Sequence, residues 1–351
     1  MKPTQAGHRV AIVGASSLLG TELRNVLEKR RFPVSRFVTF AADEEEPDLP
    51  VVDLQLGRET VGADEKVSAA ELDLAFRAAP EPSAGSRALF LRQGGHGPCL
   101  WIDLVGGLDE PAFKGPRGVL SVPFLERTAR GAGPLPDSKV FISPHPAAIV
   151  LSSLLLRLAA RFPLKSAVAQ ILASASEIGS RGVEELQKQT VSLLSFQKIP
   201  QNVFGAQLGF NLLTRLPGRR GGALAEIENR IRGQLREYLR DRAPLPALRL
   251  YLAPIFYSLG LSLYLETAQP TAPEALAGAL AGEGIHVRKP AESAPSQVEA
   301  AGSSDILVDA ITPDPDHPAG IWIWAVVDNI RLAALNAVEI AEALGRRIGS
   351  E

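Results

Sequence analysis

The run from His8 to Phe40 constrains this chain more than any other stretch. His8-Arg-Val-Ala-Ile-Val13 reads as a short buried strand, and Gly14-Ala-Ser-Ser-Leu-Leu-Gly20 follows it at once. An amphipathic helix comes next, with Leu18, Leu19, Leu23 and Val26 on its apolar face and Glu22, Arg24, Glu28 and Lys29 toward water. Phe32-Pro33 ends it, and Ser35-Arg-Phe-Val-Thr-Phe40 is a second strand. Strand, glycine turn, helix, strand is the opening of a dinucleotide-type βαβ unit.

The remainder divides into two regions. Ala88 to Leu91 and Cys99 to Asp103 are further strand candidates, with Pro/Gly/Ser-rich connections at 80–87 and 130–138. From about Pro146 the pattern changes. Ala147 to Phe162 reads as an apolar helix, Ala167 to Ser174 as a strand and Gly182 to Leu194 as a helix. Ala223 to Arg242 reads as a charged helix behind a polar glycine-rich loop at 217–222. Leu248 to Ile255, Leu259 to Glu266, Asp305 to Ala310 and Ile321 to Val327 read as strands of a mostly antiparallel or mixed sheet, and Asn329 to Ile348 as a closing helix. The expected fold is α/β: a Rossmann-like, doubly wound domain over residues 1–146 plus 328–351, and a second α/β domain over 147–327 for dimerisation or substrate.

At 351 residues the chain can bury roughly three quarters of its unfolded surface in two such lobes. A net charge of −2 gives no reason to expect nucleic acid or an anionic membrane as partner. Met1 to Gly7 lacks the apolar core of a signal peptide, and no apolar run reaches a membrane span, so the expected address is the cytoplasm. A single cysteine, Cys99, excludes an internal disulfide, and the histidines His8, His96, His286 and His317 show no metal-ligand spacing; no metal is expected. Asp314, Asp316 and His317 fall in a proline-rich stretch that reads as a solvated turn.

Four segments, in order along nearly the whole chain, resemble the aspartate-semialdehyde dehydrogenase family. They are Val10-Ala-Ile-Val-Gly-Ala-Ser-Ser-Leu-Leu-Gly-Thr-Glu-Leu23, Gly179-Ser-Arg-Gly-Val-Glu-Glu-Leu-Gln-Lys-Gln-Thr190, the stretch from Val203 to Leu213, and Val327-Asp-Asn-Ile-Arg-Leu-Ala-Ala-Leu-Asn-Ala-Val-Glu-Ile-Ala341. The resemblance implies a thiolate that attacks an aldehyde, a nicotinamide that accepts hydride, and phosphate that releases an acyl phosphate. It also implies a histidine as acid/base, a glutamine that orients the intermediate, and arginines that hold anions. Carried over position by position, those groups are gone. The cysteine falls on Pro146, the glutamine on Ala173, the arginine on Leu252 and the histidine on Leu259. The phosphate-binding arginine falls near Asp109 and the substrate lysine on Ala223. Proline carries no nucleophile, so covalent catalysis is lost at that position.

Two groups could stand in. His145 adjoins the lost nucleophile and could act as a base, or be a turn histidine at a helix start; no carboxylate partner lies nearby in sequence. Cys99 is the lone thiol, readable also as a small buried apolar residue. For a cofactor the candidates are Gly14, Ser16, Ser17, Leu18 and Gly20. Ser17 takes the place of the middle glycine, which weakens NAD binding without excluding it. NADP is disfavoured because Ala41-Ala-Asp-Glu-Glu-Glu46 puts Glu44 where an arginine would hold the 2′-phosphate. An acidic loop with no ligand fits that segment as well.

The reading that results is a catalytically inactive homologue acting through binding, as a homodimer or as a heterodimer with an active paralogue. An NAD-dependent oxidoreductase with relocated groups is the alternative, and an active aspartate-semialdehyde dehydrogenase a further one.

Overall fold

The computed structural model describes residues 7–40, 60–61, 72–79, 99–106, 118–129, 136–217 and 223–348. The acidic segment 41–46, the strand candidate 88–91, the connection 80–87, His96, Asp109 and residues 218–222 lie outside them. The chain divides into two compact units, Met1–Pro144 with Ala333–Glu351, and His145–Leu332.

The first unit is built on β1 (His8–Val13), α1 (Leu18–Lys29), β2 (Val34–Phe40), β3 (Thr60–Val61), β4 (Leu74–Arg77), β5 (Leu100–Asp103), β6 (Val119–Leu120), α2 (Pro123–Ala129) and β7 (Val140–Ile142). Among the described residues its seven strands run in the order β3-β2-β1-β4-β5-β7-β6, and each of their pairings is parallel. Parallel strands are covered on both faces, which is why Val10, Ala11, Ile12 and Val13 are all buried rather than alternating. Leu23, Val26 and Leu27 of α1, with Ala334, Ala337, Val338, Ala341 and Leu344 of the closing helix, pack with Val10, Ile12, Leu74 and Phe76 in one core. Burying each leucine there contributes about 1.5–3 kcal/mol. Of the expected apolar face of α1, Leu23 and Val26 are buried and Leu19 packs, partly buried, against the core; Gly20 and Leu27 join them, and Leu18 is half-exposed. Leu18 opens the helix, where the chain is still leaving the sheet. The order doubles back at β1, with β2 on one side and β4 on the other, so the switch point lies at the carboxyl ends of β1 and β4.

The second unit contains α3 (Pro146–Ala159), β8 (Leu164–Ala173), a single 3₁₀ turn (Ala175–Ile178), α4 (Ser180–Leu194), α5 (Ala223–Leu239), β9 (Ala247–Leu252), β10 (Leu259–Thr267), α6 (Pro273–Leu280), β11 (Ile285–Val287), α7 (Gln297–Ala300), β12 (Ile306–Val308), β13 (Thr312–Pro313) and β14 (Gly320–Val327). The first turn of α8 (Asn329–Ile348) belongs to this unit and the rest of that helix to the first. The sheet runs β11-β12-β14-β10-β8-β9, with β13 beside β14. It is mixed: β8 pairs β9 and β11 pairs β12 in parallel, and the other pairings are antiparallel. Strand β8 alternates, with Ala167, Ala169, Ile171 and Ala173 inward and Val168 and Gln170 outward, the period-two pattern of a sheet with one covered face. Helix α3 lies against β8, and α5 against β9. α3 is buried almost all round, as its unbroken apolar sequence requires.

The sequence reading ran several elements too long or missed them. The first apolar helix stops at Ala159, before Arg161, Phe162 and Pro163. The charged helix stops at Leu239, before the positive-φ residue Arg240. α6 went unread although Pro273 at its first position and Glu274 in its first turn are ordinary start signals.

Candidate functional site

The glycine turn has the shape of a nucleotide loop, and most of its polar groups are already committed. Gly14 sits at φ +84°, and a β-carbon there would lie 2.4 Å from the Ala79 β-carbon. At Gly20 a β-carbon would meet the Gly14 carbonyl oxygen at 2.1 Å. Both positions therefore demand glycine. Ser17 is the N-cap of α1: its Oγ accepts from Gly20 N–H at 3.0 Å and donates to the Ala78 carbonyl at 2.9 Å. A hydroxyl has one proton, so Ser17 has none left for a phosphate. The Gly14 and Ala15 N–H groups both go to the Phe40 carbonyl at 2.9 Å. Ser16 is exposed. What remains for an anion is the first helical turn at Leu18 and Leu19, whose N–H groups have no intrahelical acceptor. A dinucleotide thus fits the backbone shape here with fewer donors than the shape promises.

At the far side of the same switch point, Asp103 is fully buried and its Oδ1 accepts from Val105 and Gly106 N–H and from Arg77 at 3.1 Å. Arg77 also donates to the Gly106 carbonyl at 2.6 Å. The Cys99 thiol is buried at 1% exposure, lies 3.5 Å from the Leu100 carbonyl, and burial pushes it up to about 12. A thiol there is a packing group and not a nucleophile.

The other site residues come together in the second unit. Ala173 and Leu252 are register partners of adjacent strands β8 and β9, and Leu259 begins the strand on the other side of β8. Their exposures are 1%, 0% and 2%. Pro146 is the first residue of α3, where the missing N–H would have had no helical acceptor in any case. Proline is therefore a stable choice at this position, and its side chain carries no proton donor, acceptor or nucleophile.

His145 caps α3. Its Nδ1 accepts from Ala147 N–H at 3.1 Å, which assigns the ring proton to Nε2, and Nε2 donates to Glu177 Oε1 at 2.9 Å. Its own N–H donates to Gln234 Oε1 at 2.9 Å, and its side chain is 2% exposed. The absent carboxylate partner is thus present, 32 residues on in the 3₁₀ turn. Sequence distance hid it. Burial pushes the Glu177 carboxyl up, but the adjoining His145 ring and the Arg230 guanidinium outweigh that and hold it below the usual carboxylate range. Next to it, Asn329 accepts from Ser258 N–H at 3.1 Å and donates to Ser176 Oγ at 3.1 Å, while Ser174 and Ser176 Oγ lie 2.9 Å apart.

Two buried side chains that the sequence reading passed over fix the segment behind α4. The Glu185 carboxylate accepts from the N–H groups of Asn202, Val203 and Phe204 at 2.8–3.0 Å. Gln189 accepts from Leu208 and Gly209 N–H and donates to the Pro200 and Ala206 carbonyls. Their four-residue spacing on one helix face was the available signal. At the far edge of the sheet Asp314 is more than a solvated turn residue: it accepts from Trp322 Nε1 and from His317, contacts that lower its pKa to about 2. Among the described residues no three of His, Cys, Asp or Glu converge as metal ligands, and no helix is long and apolar enough to cross a membrane.

Residues 155–332 match the family model described as semialdehyde dehydrogenase, dimerisation domain, and residues 9–113 match semialdehyde dehydrogenase, NAD binding domain. A USG-1 protein homolog of Pseudomonas aeruginosa is 30% identical over 338 residues, 95% of this chain and 97% of that one. An aspartate-semialdehyde dehydrogenase of Aquifex aeolicus is 27% identical over 346 residues, 96% and 98% of the two chains. The solved structure of a probable aspartate-semialdehyde dehydrogenase from Pseudomonas aeruginosa superposes with a TM-score of 0.80 at 28% identity, covering 96% of this chain and 98% of its own. A Rossmann-like parallel unit, a second unit with a mixed sheet, and both domain matches in order lead to one conclusion: this chain belongs to the semialdehyde dehydrogenase family.

Proposed function

We propose that this protein is a catalytically inactive member of its family that acts in the cytoplasm through association rather than through aldehyde chemistry. The observation that carries the reading is the state of His145 beside Pro146. The one imidazole at the family's nucleophile position has both ring nitrogens engaged, and the adjoining residue offers no lone pair to attack with. Ala173, Leu252 and Leu259 add only buried hydrocarbon. Such a wall cannot take or give a proton, and it cannot hold a carboxylate or phosphate. The alternative oxidoreductase would need His145 or Cys99, and each is tied or buried where it stands.

The matched NAD-binding domain makes nicotinamide dinucleotides the ligands to test at the Gly14–Gly20 loop. Bound, such a group would supply a hydride acceptor, and Leu18 and Leu19 N–H would hold its pyrophosphate. The expected discrimination against NADP gains no support, because the acidic segment lies outside the described residues; NAD and NADP enter the test as equals. Self-association is the proposed assembly, with a mixed dimer with an active paralogue as its variant.

The test is an assay of purified protein with aspartate semialdehyde, phosphate and either NAD or NADP, alongside calorimetric titration of both cofactors. The expected result is no cofactor reduction above the uncatalysed rate, and binding weaker than the micromolar range. Turnover that disappears in His145→Ala would overturn the proposal in favour of relocated catalysis.

A further inference from the structure

Helix α4 ends in a way that costs the chain twice. Gln197 N–H donates to the Ser192 carbonyl at 2.8 Å and Phe196 N–H to the Leu193 carbonyl at 3.3 Å, the paired bonds of a Schellman stop. Such a stop puts one residue in the left-handed conformation, a place for glycine, and here it is Phe196 at φ +55°. Its side chain is 99% exposed, so no packing of the ring offsets that strain. A second phenylalanine repeats the arrangement: Phe210 stands at φ +59° and is 68% exposed. Its neighbour Gly209 is seated on α4. A β-carbon there would lie 2.9 Å from Leu193 Cδ1, and the Gly209 N–H donates to Gln189 at 3.0 Å. Both phenylalanines thus stand at the last turns of one helix. Among the described residues, five of the eleven exposed large apolar side chains fall between Val191 and Leu212. The charge around them has one sign. Lys188, Lys198 and Arg215 are exposed, and no aspartate or glutamate occurs from Leu186 to Pro217. The nearest exposed carboxylate along α4 is Glu184, and Lys188 reaches it at 3.5 Å. The net charge of −2 belongs to the whole chain, whereas attraction within a Debye length of about 8 Å depends on the charges at the surface concerned.

We propose that this end of α4 docks on an anionic lipid membrane, with Phe196 and Phe210 inserted into its interface and Lys188, Lys198 and Arg215 among the headgroups. The inference goes beyond the family reading and is independent of whether the chain turns over an aldehyde. Shape and charge select this partner. A ring that projects alone from a helix end enters a soft medium directly, whereas a folded partner would need a pocket shaped to it. Phenylalanine and leucine flanked by lysine and arginine are the composition of surfaces that lie in the headgroup region. The long basic side chains bury their stems there and keep their charge among phosphates. The contact is with the surface only, since no helix among the described residues is long and apolar enough to cross a membrane. Its base is fixed in advance. Glu185 holds the N–H groups of residues 202–204, and Gln189 holds Pro200, Ala206, Leu208 and Gly209. The segment that carries Phe210 is therefore clamped to the helix that carries Phe196, and insertion has little left to order.

The test is co-sedimentation of the full chain with vesicles of phosphatidylcholine alone and of phosphatidylcholine with about one third phosphatidylserine, at low and at high salt. The expected result is binding to the anionic vesicles, weakened by salt, and little binding to the neutral ones. Phe196→Gly relieves the left-handed strain, so it should melt no lower than the wild type. Its partition onto anionic vesicles should nevertheless fall about tenfold or more, the effect of losing one buried aromatic side chain. Lys198→Glu should also lower that partition and reduce its dependence on salt. Absence of binding to either vesicle would overturn the proposal. Binding that Phe196→Gly leaves intact would place the contact on another surface and overturn it too, and equal binding to both vesicles would rule out the anionic partner. A wild type that ignores vesicles, yet forms an oligomer that Phe196→Gly dissolves, would give this surface to a second copy of the chain instead. Turnover of aspartate semialdehyde would bear on the inactivity reading alone.

Discussion

The Nε2 atom of His145 lies 2.9 Å from Oε1 of Glu177, and this contact joins the start of α3 to the turn that follows β8. With Nδ1 accepting from the helix it caps, the ring is locked from both sides. His145 thus ties two elements together.

That tie has a pH signature. The folded-state pKa of Glu177 is depressed, so its contribution to stability is present above the unfolded value of about 4.3 and is lost as pH falls through the lower folded value. Glu177→Gln keeps an oxygen to accept from Nε2 and removes the charge. The wild type should therefore lose stability below about pH 4.3 more steeply than Glu177→Gln. Parallel melting-temperature curves for the two between pH 3 and 7, a window chosen to bracket about 4.3, would contradict this. Glu177→Ala should cost about 1–3 kcal/mol at neutral pH, the penalty of a buried donor left without an acceptor.

Glu185 carries a larger structural share. Its carboxylate alone satisfies the N–H groups of residues 202–204. Glu185→Ala should cost about 3 kcal/mol or more in urea unfolding, since bonds to a charged acceptor exceed neutral ones. Hydrogen exchange should show the loss of protection at Asn202, Val203 and Phe204 ahead of the rest of the unit. Unchanged protection there would show that other contacts hold the segment.

Restoring the nucleophile should not restore chemistry. In Pro146→Cys the new thiol lies among buried residues with Leu252 and Leu259 where anion and proton handling are needed. The expected result is no cofactor reduction above background with aspartate semialdehyde. Measurable turnover in this variant would show that the remaining machinery is present elsewhere.

Cys99 should resist a disulfide reagent in the native protein and react to one thiol per chain only in denaturant. Its burial and a thiol pKa near 12 leave almost no thiolate at neutral pH. Rapid native labelling would mean that β5 opens readily.

The legible parts of the fold are those dictated by neighbours in sequence. The strand, glycine turn and helix from His8 to Lys29 follow from local apolar pattern and from two positions where only glycine fits. The alternation in β8, β10 and β14 announces a sheet with one covered face. That Pro146, Ala173, Leu252 and Leu259 carry no reactive side-chain group was equally plain, because a residue type either carries one or does not. The partners were not legible. Nothing near His145 in sequence points to Glu177, and nothing near Ser17 shows that Ala78 will take its proton.

By itself, then, the sequence determined which side-chain groups stand at each position and which local elements form, since both depend on side-chain identity and short-range periodicity. Only the tertiary structure decided where the remaining polar groups spend their hydrogen bonds: His145 on Glu177, Ser17 on Ala78, Glu185 on residues 202–204. Those pairings join residues 17 to 61 positions apart, and chain folding alone sets such distances.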